Sequence, residues 1–491
     1  MADTMAVNMP AFRGLNQYGA GMGADVRYAV EAVNALTAEG VLSPMAACEQ
    51  LAAALPAPIE TLARLHRRWH AGPKDILIAA SGGQLYWMEP GGSAWTRMNM
   101  PFGWAQESYQ SSRWSCVSYE INPDGTADTA PVDVLLMSNA LDGMICVRGD
   151  NMEVSPVATP KKFGVIARHA ERIWGGAIPD DPDMLVYSAP FDPFDWSQND
   201  EIPENGAGDV MQPSWDGDSF TALTPLGSQL IALKRTRVWR ILGTNPGEYI
   251  FREQFGGGTP CASTVAVHNA RLFMLGMGGV WQYDGESVSP WEQEWARDVF
   301  ARMNTDAMEG ACACMHGSVY LCALPLDKST VNNAVLLYNT RENTWLLREG
   351  ISVEAFLSVG ETLYFTSAET PGRIWQWRDD AWPEKQNVQS MRWVSPWMDL
   401  GAPDVIKGGF LLYVTVECAA DTPVTLGIQT EKHVRRKSVM FHPPKEGAQA
   451  LQRRICFPGH GRRFRLLIES GAGQPWRIPG GITIRCMADR E

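Results

Sequence analysis

The 491-residue sequence lacks the features that mark exported, membrane-spanning and disulfide-rich proteins. Its first ten residues contain no basic region followed by an apolar run, and no stretch approaches the roughly 18 consecutive apolar residues of a transmembrane helix. Its ten cysteines are spread thinly and form no CxxC pair, whereas a disulfide scaffold would cluster them. We therefore expect a protein that is made in a reducing cytoplasm and has no membrane span.

The common signatures of catalysis are also missing. The sequence contains no P-loop, no Rossmann glycine fingerprint, no HExxH and no GxSxG elbow. His66 and His70 have the i,i+4 spacing of a helical metal site, but a third ligand is missing and Pro and Gly residues bracket residues 61–69, which favours a strand. We expect no cofactor and no metal.

The densest group of soft ligands is Cys312, Cys314 and Cys322 with His316. On a β-strand Cys312 and Cys314 would point to the same face. Free cysteine behaves as a small hydrophobic residue when it is buried. Core packing is therefore the favoured interpretation of this cluster.

Carboxylates are abundant, but no pair of them is singled out for glycoside hydrolysis. One stretch is rich in Pro and Asp, and its carboxylates are those of Asp180, Asp181, Asp183, Asp192 and Asp195. They fit a long loop in which Asp and Pro set turns. Residues 214–220 (SWDGDSF) are close to the Asp-box turn of sialidase propellers but are one residue short before the glycine. This segment fits an ordinary Asp-Gly turn.

The charge is unevenly divided along the chain. Residues 385–491 contain 16 Lys/Arg and 9 Asp/Glu, a net charge of +7, whereas residues 1–384 contain 26 Lys/Arg and 46 Asp/Glu, a net charge of −20. Phosphate binding needs a cationic surface, so the acidic part does not suit a nucleic-acid clamp. The basic part can dock on an acidic partner or can be simply a solvated surface.

Short β-like units separated by turn residues recur every few tens of residues, which is typical of propeller blades. Examples are the hairpins around Gly82-Gly83, Asp142-Gly143 and Gly278-Gly279. The 19 Trp residues fit the wedges between blades, although a base-stacking or sugar-binding use is an alternative. The sequence predicts an all-β fold with a six- or seven-bladed β-propeller.

Three regions are predicted along the chain. Residues 1–56 form an N-terminal segment that is partly helical, because residues 26–33 have helical spacing and Ser43-Pro44 resembles a helix start before residues 45–55. Residues 57–384 form the propeller. Residues 385–491 form a C-terminal β-sandwich-like module, with about seven strands between Gly and Pro turns.

Several segments resemble the tail hub or nozzle proteins of short-tailed bacteriophages, also called packaged-DNA stabilisation proteins. The most characteristic are FRGLN at 12–16, AERIWG at 170–175 with LVYS at 185–188, GVWQYDG at 279–285 and RRFRLLI at 462–468. The resemblance covers most of the chain. It implies a virion protein that forms a ring, commonly of six copies, below the portal and adaptor, with a lumen that retains and conducts genomic DNA.

We therefore expect a non-enzymatic structural protein of the phage tail or head-to-tail junction. Its partners would be further copies of itself, the portal or adaptor and other tail proteins, and DNA that passes without sequence-specific binding. The candidate docking residues lie in the basic module and are Arg435, Arg436, Lys437, Arg462 and Arg463. The alternatives are a tail-tip or collar propeller that binds a receptor or glycan or anchors fibres, and a propeller glycoside hydrolase.

Overall fold

A computed structural model describes residues 3–18, 24–101, 107–122, 130–213, 217–382, 387–444 and 449–489. Within these ranges the only α-helix is α1 (Arg297–Ala301). Short 3₁₀-helices occur at Ala38–Gly40, Pro203–Asn205, Pro246–Glu248, Ala262–Thr264, Gln293–Ala296 and Thr305–Gly310. The predicted boundary at residues 384–385 and residues 214–216 of the predicted Asp-Gly turn lie outside the described residues. No described helix is long and apolar enough to span a bilayer.

The N-terminal segment consists of short strands and not of the predicted helices. They are β1 (Asp3–Met9), β2 (Glu31–Val33), β3 (Ala35–Leu36), β4 (Ser43–Pro44) and β5 (Glu49–Ala54). The helical interpretation of residues 26–33 and 43–55 is therefore wrong. Helix propensity is a weak preference, and the backbone of β5 instead pairs with a strand more than 300 residues later in the chain.

Within the described residues the propeller has seven blades of four antiparallel strands each, and blade 6 is part of a larger sheet. Blade 1 contains β6 (Ile59–His66), β7 (Asp75–Ser81), β8 (Gln84–Met88) and β9 (Thr96–Arg97). Blade 2 contains β10 (Ser115–Ile121), β11 (Val132–Asn139), β12 (Gly143–Arg148) and β13 (Val154–Val157). Blade 3 contains β14 (Val165–His169), β15 (Arg172–Gly176), β16 (Met184–Tyr187) and β17 (Gly208–Met211). Blade 4 contains β18 (Phe220–Leu226), β19 (Gln229–Lys234), β20 (Arg237–Leu242) and β21 (Ile250–Phe255).

The remaining blades complete the ring. Blade 5 contains β22 (Ala266–His268), β23 (Arg271–Gly276), β24 (Gly279–Tyr283) and β25 (Val288–Pro290). Blade 6 contains β26 (Cys312–His316), β27 (Val319–Leu324), β28 (Ala334–Asn339) and β29 (Thr344–Glu349). Blade 7 contains β30 (Ala355–Val359), β31 (Thr362–Thr366) and β32 (Arg373–Gln376), and its fourth strand is β5 from the N-terminal segment. The chain therefore closes the propeller by pairing its beginning with the last blade.

Nine strands follow the propeller in the described part of the chain. They are β33 (Met391–Val394), β34 (Ile406–Val414), β35 (Glu417–Cys418), β36 (Thr422–Thr430), β37 (Val434–Phe441), β38 (Arg453–Gly461), β39 (Phe464–Ser470), β40 (Trp476–Arg477) and β41 (Ile482–Asp489). One sheet has the order β1-β41-β34-β38, and a second face is formed by β33-β39-β36-β37. Their inner side chains share one hydrophobic core, as expected of a sandwich.

The sandwich and the propeller share a continuous sheet of nine strands. Strand β2 pairs in parallel with β29 of blade 6 through Val33 and Leu347, and antiparallel with β33 of the sandwich. The order is therefore β26-β27-β28-β29-β2-β33-β39-β36-β37. The N-terminal segment thus contributes to both halves of the molecule and joins them.

Aromatic side chains fill the spaces between blades, as the sequence predicts. Between blades 5 and 6, Phe273 stacks on Trp291 with a centroid distance of 3.9 Å, and Trp291 contacts Tyr338 at 4.0 Å. Trp345 completes this group 4.6 Å from Tyr338 and is fully buried. These rings are part of the core, and their burial is the main contribution to stability here.

Substitution of two glycines tests how the propeller is closed. Both have a left-handed φ, +74° at Gly372 and +57° at Gly360, so alanine costs roughly 1 kcal/mol of backbone strain at either. A Cβ at Gly372 would lie 2.0 Å from the carbonyl oxygen of Leu55, whereas a Cβ at Gly360 meets open space. We expect Gly372→Ala to lower the free energy of unfolding by about 1–3 kcal/mol more than Gly360→Ala.

Urea denaturation of the full chain measures this difference. Equal losses for the two variants would show that residue 372 does not approach Leu55 in solution.

Candidate functional site

The five predicted docking residues lie at one end of the sandwich. Arg435, Arg436 and Lys437 are in the first half of β37, and Arg462 and Arg463 form the turn between β38 and β39. The register brings these segments to the same end, because β36 pairs with β37 on one side and with β39 on the other. We call this surface the basic edge, defined by these five residues.

Strand β37 is the outermost strand of the nine-stranded sheet. Arg435 and Lys437 are opposite Ile428 and Leu426, whose side chains are buried in the core, so both cations point toward the inside of the sandwich at its open rim. The Lys437 ammonium lies 5.7 Å from the centre of the Phe457 ring. Inward-pointing charges on an edge strand oppose the addition of another strand. The edge is thus suited to contacts through side chains.

Arg436 points to the outer face and begins a row of alternating charges. Its guanidinium is 3.1 Å from the Glu469 carboxylate, which is 3.5 Å from Arg392. Arg392 in turn is 3.1 Å from Glu31 of β2. Single exposed ion pairs contribute little to stability. The row instead fixes the orientation of Arg436 relative to the strand that joins the two halves.

Arg463 is only partly exposed and is held from two sides. Its Nε is 3.6 Å from Glu431, and its guanidinium lies over the Trp397 ring at 5.0 Å. Arg465 contacts the same ring at 4.9 Å. The sequence reasoning missed Trp397 and Arg465, although the alternation in Arg463-Phe464-Arg465 places both arginines on one face.

Arg462 acts on the fold through its backbone. Its carbonyl oxygen accepts a hydrogen bond of 2.6 Å from the buried ammonium of Lys407, which also donates to the carbonyls of Val405, at 2.9 Å, and Ala402. Burial lowers the pKa of Lys407. The Arg462 side chain itself is exposed. Lys407 therefore fixes the turn from which Arg462 and Arg463 project.

The other residues singled out in the sequence have structural surroundings. Cys312 and Cys314 share a face of β26, as predicted, and Cys322 points to the opposite core. Burial raises the pKa of the Cys322 thiol to about 12. His66 lies on strand β6, as predicted, with its Nδ1 2.7 Å from Asp75, while His70 accepts a hydrogen bond from the amide of Gly72. The described residues contain no group of three His, Cys, Asp or Glu side chains that could hold a metal.

A cavity of about 520 Å³ opens beside the first strands of blades 1, 2, 6 and 7. Its charged lining includes Glu60, Glu309, Glu354 and Arg113. The Arg113 Nε is 3.5 Å from Glu60. Burial, and then the charge of Glu60, raises the pKa of Glu354. A polar, partly acidic opening of this kind can hold a small polar ligand or can remain solvated.

The contacts of Lys407 predict the effect of its removal. Lys407→Met takes the ammonium donor away from three carbonyl oxygens, of which that of Ala402 still accepts from the amide of Val405. We therefore expect the free energy of unfolding to fall by about 1.5–3 kcal/mol. Arg462→Ala keeps the carbonyl that Lys407 binds and should change stability by less than about 0.5 kcal/mol. Urea denaturation of both variants measures the difference. A loss for Arg462→Ala as large as for Lys407→Met would show that the Arg462 side chain, and not its carbonyl, holds the turn.

No protein-family model matches the chain, and no curated protein matches it in sequence. Among solved structures it is similar to BBS1N in complex with ARL6DN, at 10% identity over 68% of this chain and 97% of that chain, with a TM-score of 0.41. It is also similar to the Pan2 WD40 domain of Neurospora crassa, at 9% identity over 68% and 96%, with a TM-score of 0.35. A third is YCF48 from Cyanidioschyzon merolae, at 8% identity over 68% and 99%, with a TM-score of 0.30. These likenesses concern the fold only.

Proposed function

We propose that the protein is a structural subunit of a bacteriophage virion, in the tail or at the head-to-tail junction. In this proposal several copies, six by the family resemblance, form a hub or nozzle ring that retains genomic DNA and conducts it during ejection. The observation that carries the proposal is the nine-stranded sheet, which joins an acidic propeller and a basic sandwich in one orientation. A ring needs subunits whose contact surfaces are fixed relative to one another.

The division of charge supports the same proposal. Residues 1–384 have a net charge of −20, and residues 385–491 have a net charge of +7. Carboxylates that face a column of phosphates repel it, whereas Lys and Arg would hold DNA in salt-dependent contacts and slow its passage. We therefore place the acidic propeller at the lumen and the basic edge against a neighbouring protein, where complementary charge sets register and association rate.

The proposal treats the protein as non-enzymatic, but one observation favours a second candidate. Glu354 and Glu60 line the same cavity, and burial together with the neighbouring carboxylate raises the pKa of Glu354. A glycoside hydrolase uses a carboxylic acid with a raised pKa beside a second carboxylate. A third candidate, a tail-tip propeller that binds a receptor or glycan, would use the same opening without chemistry.

An image of the phage particle with this protein labelled tests the proposal. We expect the label in a closed ring around the tail axis, with an opening as wide as a DNA duplex and a lining in which Asp and Glu outnumber Lys and Arg, because phosphate would adhere to a basic lining.

Two results would contradict it. A label at the tail tip without an axial ring would favour receptor binding. The protein would be an enzyme if it released sugar from host polysaccharide and Glu354→Gln abolished this release. The control Glu361→Gln, at an exposed residue, should then leave the release unchanged.

A further inference from the structure

The connection between β16 and β17 of blade 3 is unusually long for a link between adjacent strands. It contains twenty residues, from Ser188 to Ala207, with a single 3₁₀ turn at Pro203–Asn205. Loops longer than about 12–15 residues in compact domains usually carry a function or are disordered. We call this segment, residues 188–207, the blade-3 loop.

One buried cation holds both ends of the blade-3 loop. The Arg172 side chain is almost completely buried, and its Nη1 donates to the carbonyls of Ser188 and Gly206, each at 2.7 Å. Its Nη2 donates to the carbonyl of Glu204. Within the loop, the amide of Ala207 donates to the carbonyl of Ser197 at 2.8 Å. The loop is therefore preorganised, and it would lose little conformational entropy when a partner binds it.

The loop exposes large apolar side chains. Phe191 is 76% exposed, Ile202 is 50% exposed and Phe194 is 41% exposed. Phe191 also has a left-handed φ of +64°, which is unfavourable for a residue with a bulky side chain. Its amide donates to the carbonyl of Glu171 at 2.8 Å, which holds this conformation. Backbone strain and an exposed aromatic ring at one residue are features of binding sites.

The chain segment that carries these rings is acidic. Between Arg172 and Lys234 the sequence contains 11 Asp/Glu and no Lys, Arg or His. Four carboxylates of the blade-3 loop are exposed, and they are Asp192, Asp200, Glu201 and Glu204. Phe191 and Phe194 also line a cleft of about 710 Å³ against Ile121 and Pro156 of blade 2, which also contains Arg148, paired with Asp150 at 2.7 Å. Exposed apolar rings beside carboxylates fit a surface that presents apolar side chains beside Arg and Lys.

The basic edge of the same chain has this chemistry. Strand β37 exposes Val434 and Met440, at 42% and 47%, on the outer face that also carries Arg436, while Arg435 and Lys437 are exposed at the rim of the other face. The sandwich continues blade 6, and blade 3 lies three blades away in a ring of seven, on the opposite side of the propeller. Within one molecule the two surfaces therefore cannot meet. Complementary surfaces at opposite sides of a subunit produce head-to-tail association, which closes into a ring or extends as a filament.

We propose that the blade-3 loop of one copy docks on the basic edge of the next copy, with Phe191 and Phe194 as apolar anchors. This deepens the proposed function by naming the contact between ring subunits. Only the closure of the contact into a ring rests on the proposed function. The contact is measured on the isolated full chain. If the purified chain associates through these surfaces but forms no ring in the phage particle, the proposed function is wrong and the proposed contact is still supported.

Sedimentation equilibrium of the purified chain tests the anchors. We expect self-association that weakens as salt is raised, because exposed charges are screened. The double variant Phe191→Ser and Phe194→Ser should weaken association by about tenfold or more, as expected for central aromatic anchors. Met277→Ser is the matched control, since Met277 is 57% exposed on blade 5, outside both surfaces, and should leave association unchanged.

A charge exchange tests the pairing of the two surfaces. Glu201→Arg with Glu204→Arg, and Arg435→Glu with Lys437→Glu, should each weaken self-association, and an equimolar mixture of the two variants should associate again. Near-ultraviolet circular dichroism establishes that each variant keeps its fold. The proposal is overturned if the wild-type chain stays monomeric at about 100 μM and low salt, if the phenylalanine variant associates like wild type, or if the mixture does not recover.

Discussion

The arrangement of the whole molecule depends on the backbone pairing of a strand only three residues long. Strand β2 (Glu31–Val33) lies between blade 6 and the sandwich, and Asn34 directly follows it. Asn34 is buried with a φ of +53°, a conformation that Asn tolerates better than most residues. Its side chain accepts from the amide of Glu349, at 2.9 Å, and donates to the carbonyl of Ser390, also at 2.9 Å. One side chain therefore hydrogen-bonds to both halves.

The same N-terminal segment gives each half a strand that it lacks. Strand β5 supplies the fourth strand of blade 7, and β1 pairs along β41 to widen the sandwich sheet. A sheet that ends without a partner leaves backbone donors and acceptors unpaired. Because one short segment pairs with four such edges, those of β32, β41, β29 and β33, the propeller, the joint and the sandwich should be stable together. The fixed separation of the acidic and basic surfaces, on which the proposed ring depends, follows from this arrangement.

The sequence predicted the features whose causes are local. Glycines of the hairpin turns, such as Gly83 and Gly143, have positive φ and mark the blades correctly, since turn conformation depends on neighbouring residues. The N-terminal strands were missed because their partners are distant in sequence; Ala54 pairs with Arg373, and Asp3 pairs with Ala488. Ser43-Pro44 before residues 45–55 suggested a helix start, and tertiary pairing overrode that local preference.

The candidate surface was predicted in part for the same reason. The basic residues of β37 were found from composition, but their inward or outward direction depends on the register with β36. The exposed phenylalanines of the blade-3 loop could not have been found, because an aromatic residue in sequence is more often buried. Their exposure depends on how Arg172 holds the loop, which requires the fold.

Hydrogen exchange at three amides of the N-terminal segment tests the central claim most directly. The amides of Val30, Asn34 and Leu55 donate to the carbonyls of Val394, Leu347 and Gly372, in the sandwich, in blade 6 and at the propeller closure. If this segment holds the molecule together, these amides should exchange with the same opening free energy as the buried strand amides of the propeller and sandwich. Exchange at a much lower opening free energy, while the other strands stay protected, would show that the two halves are stable without it.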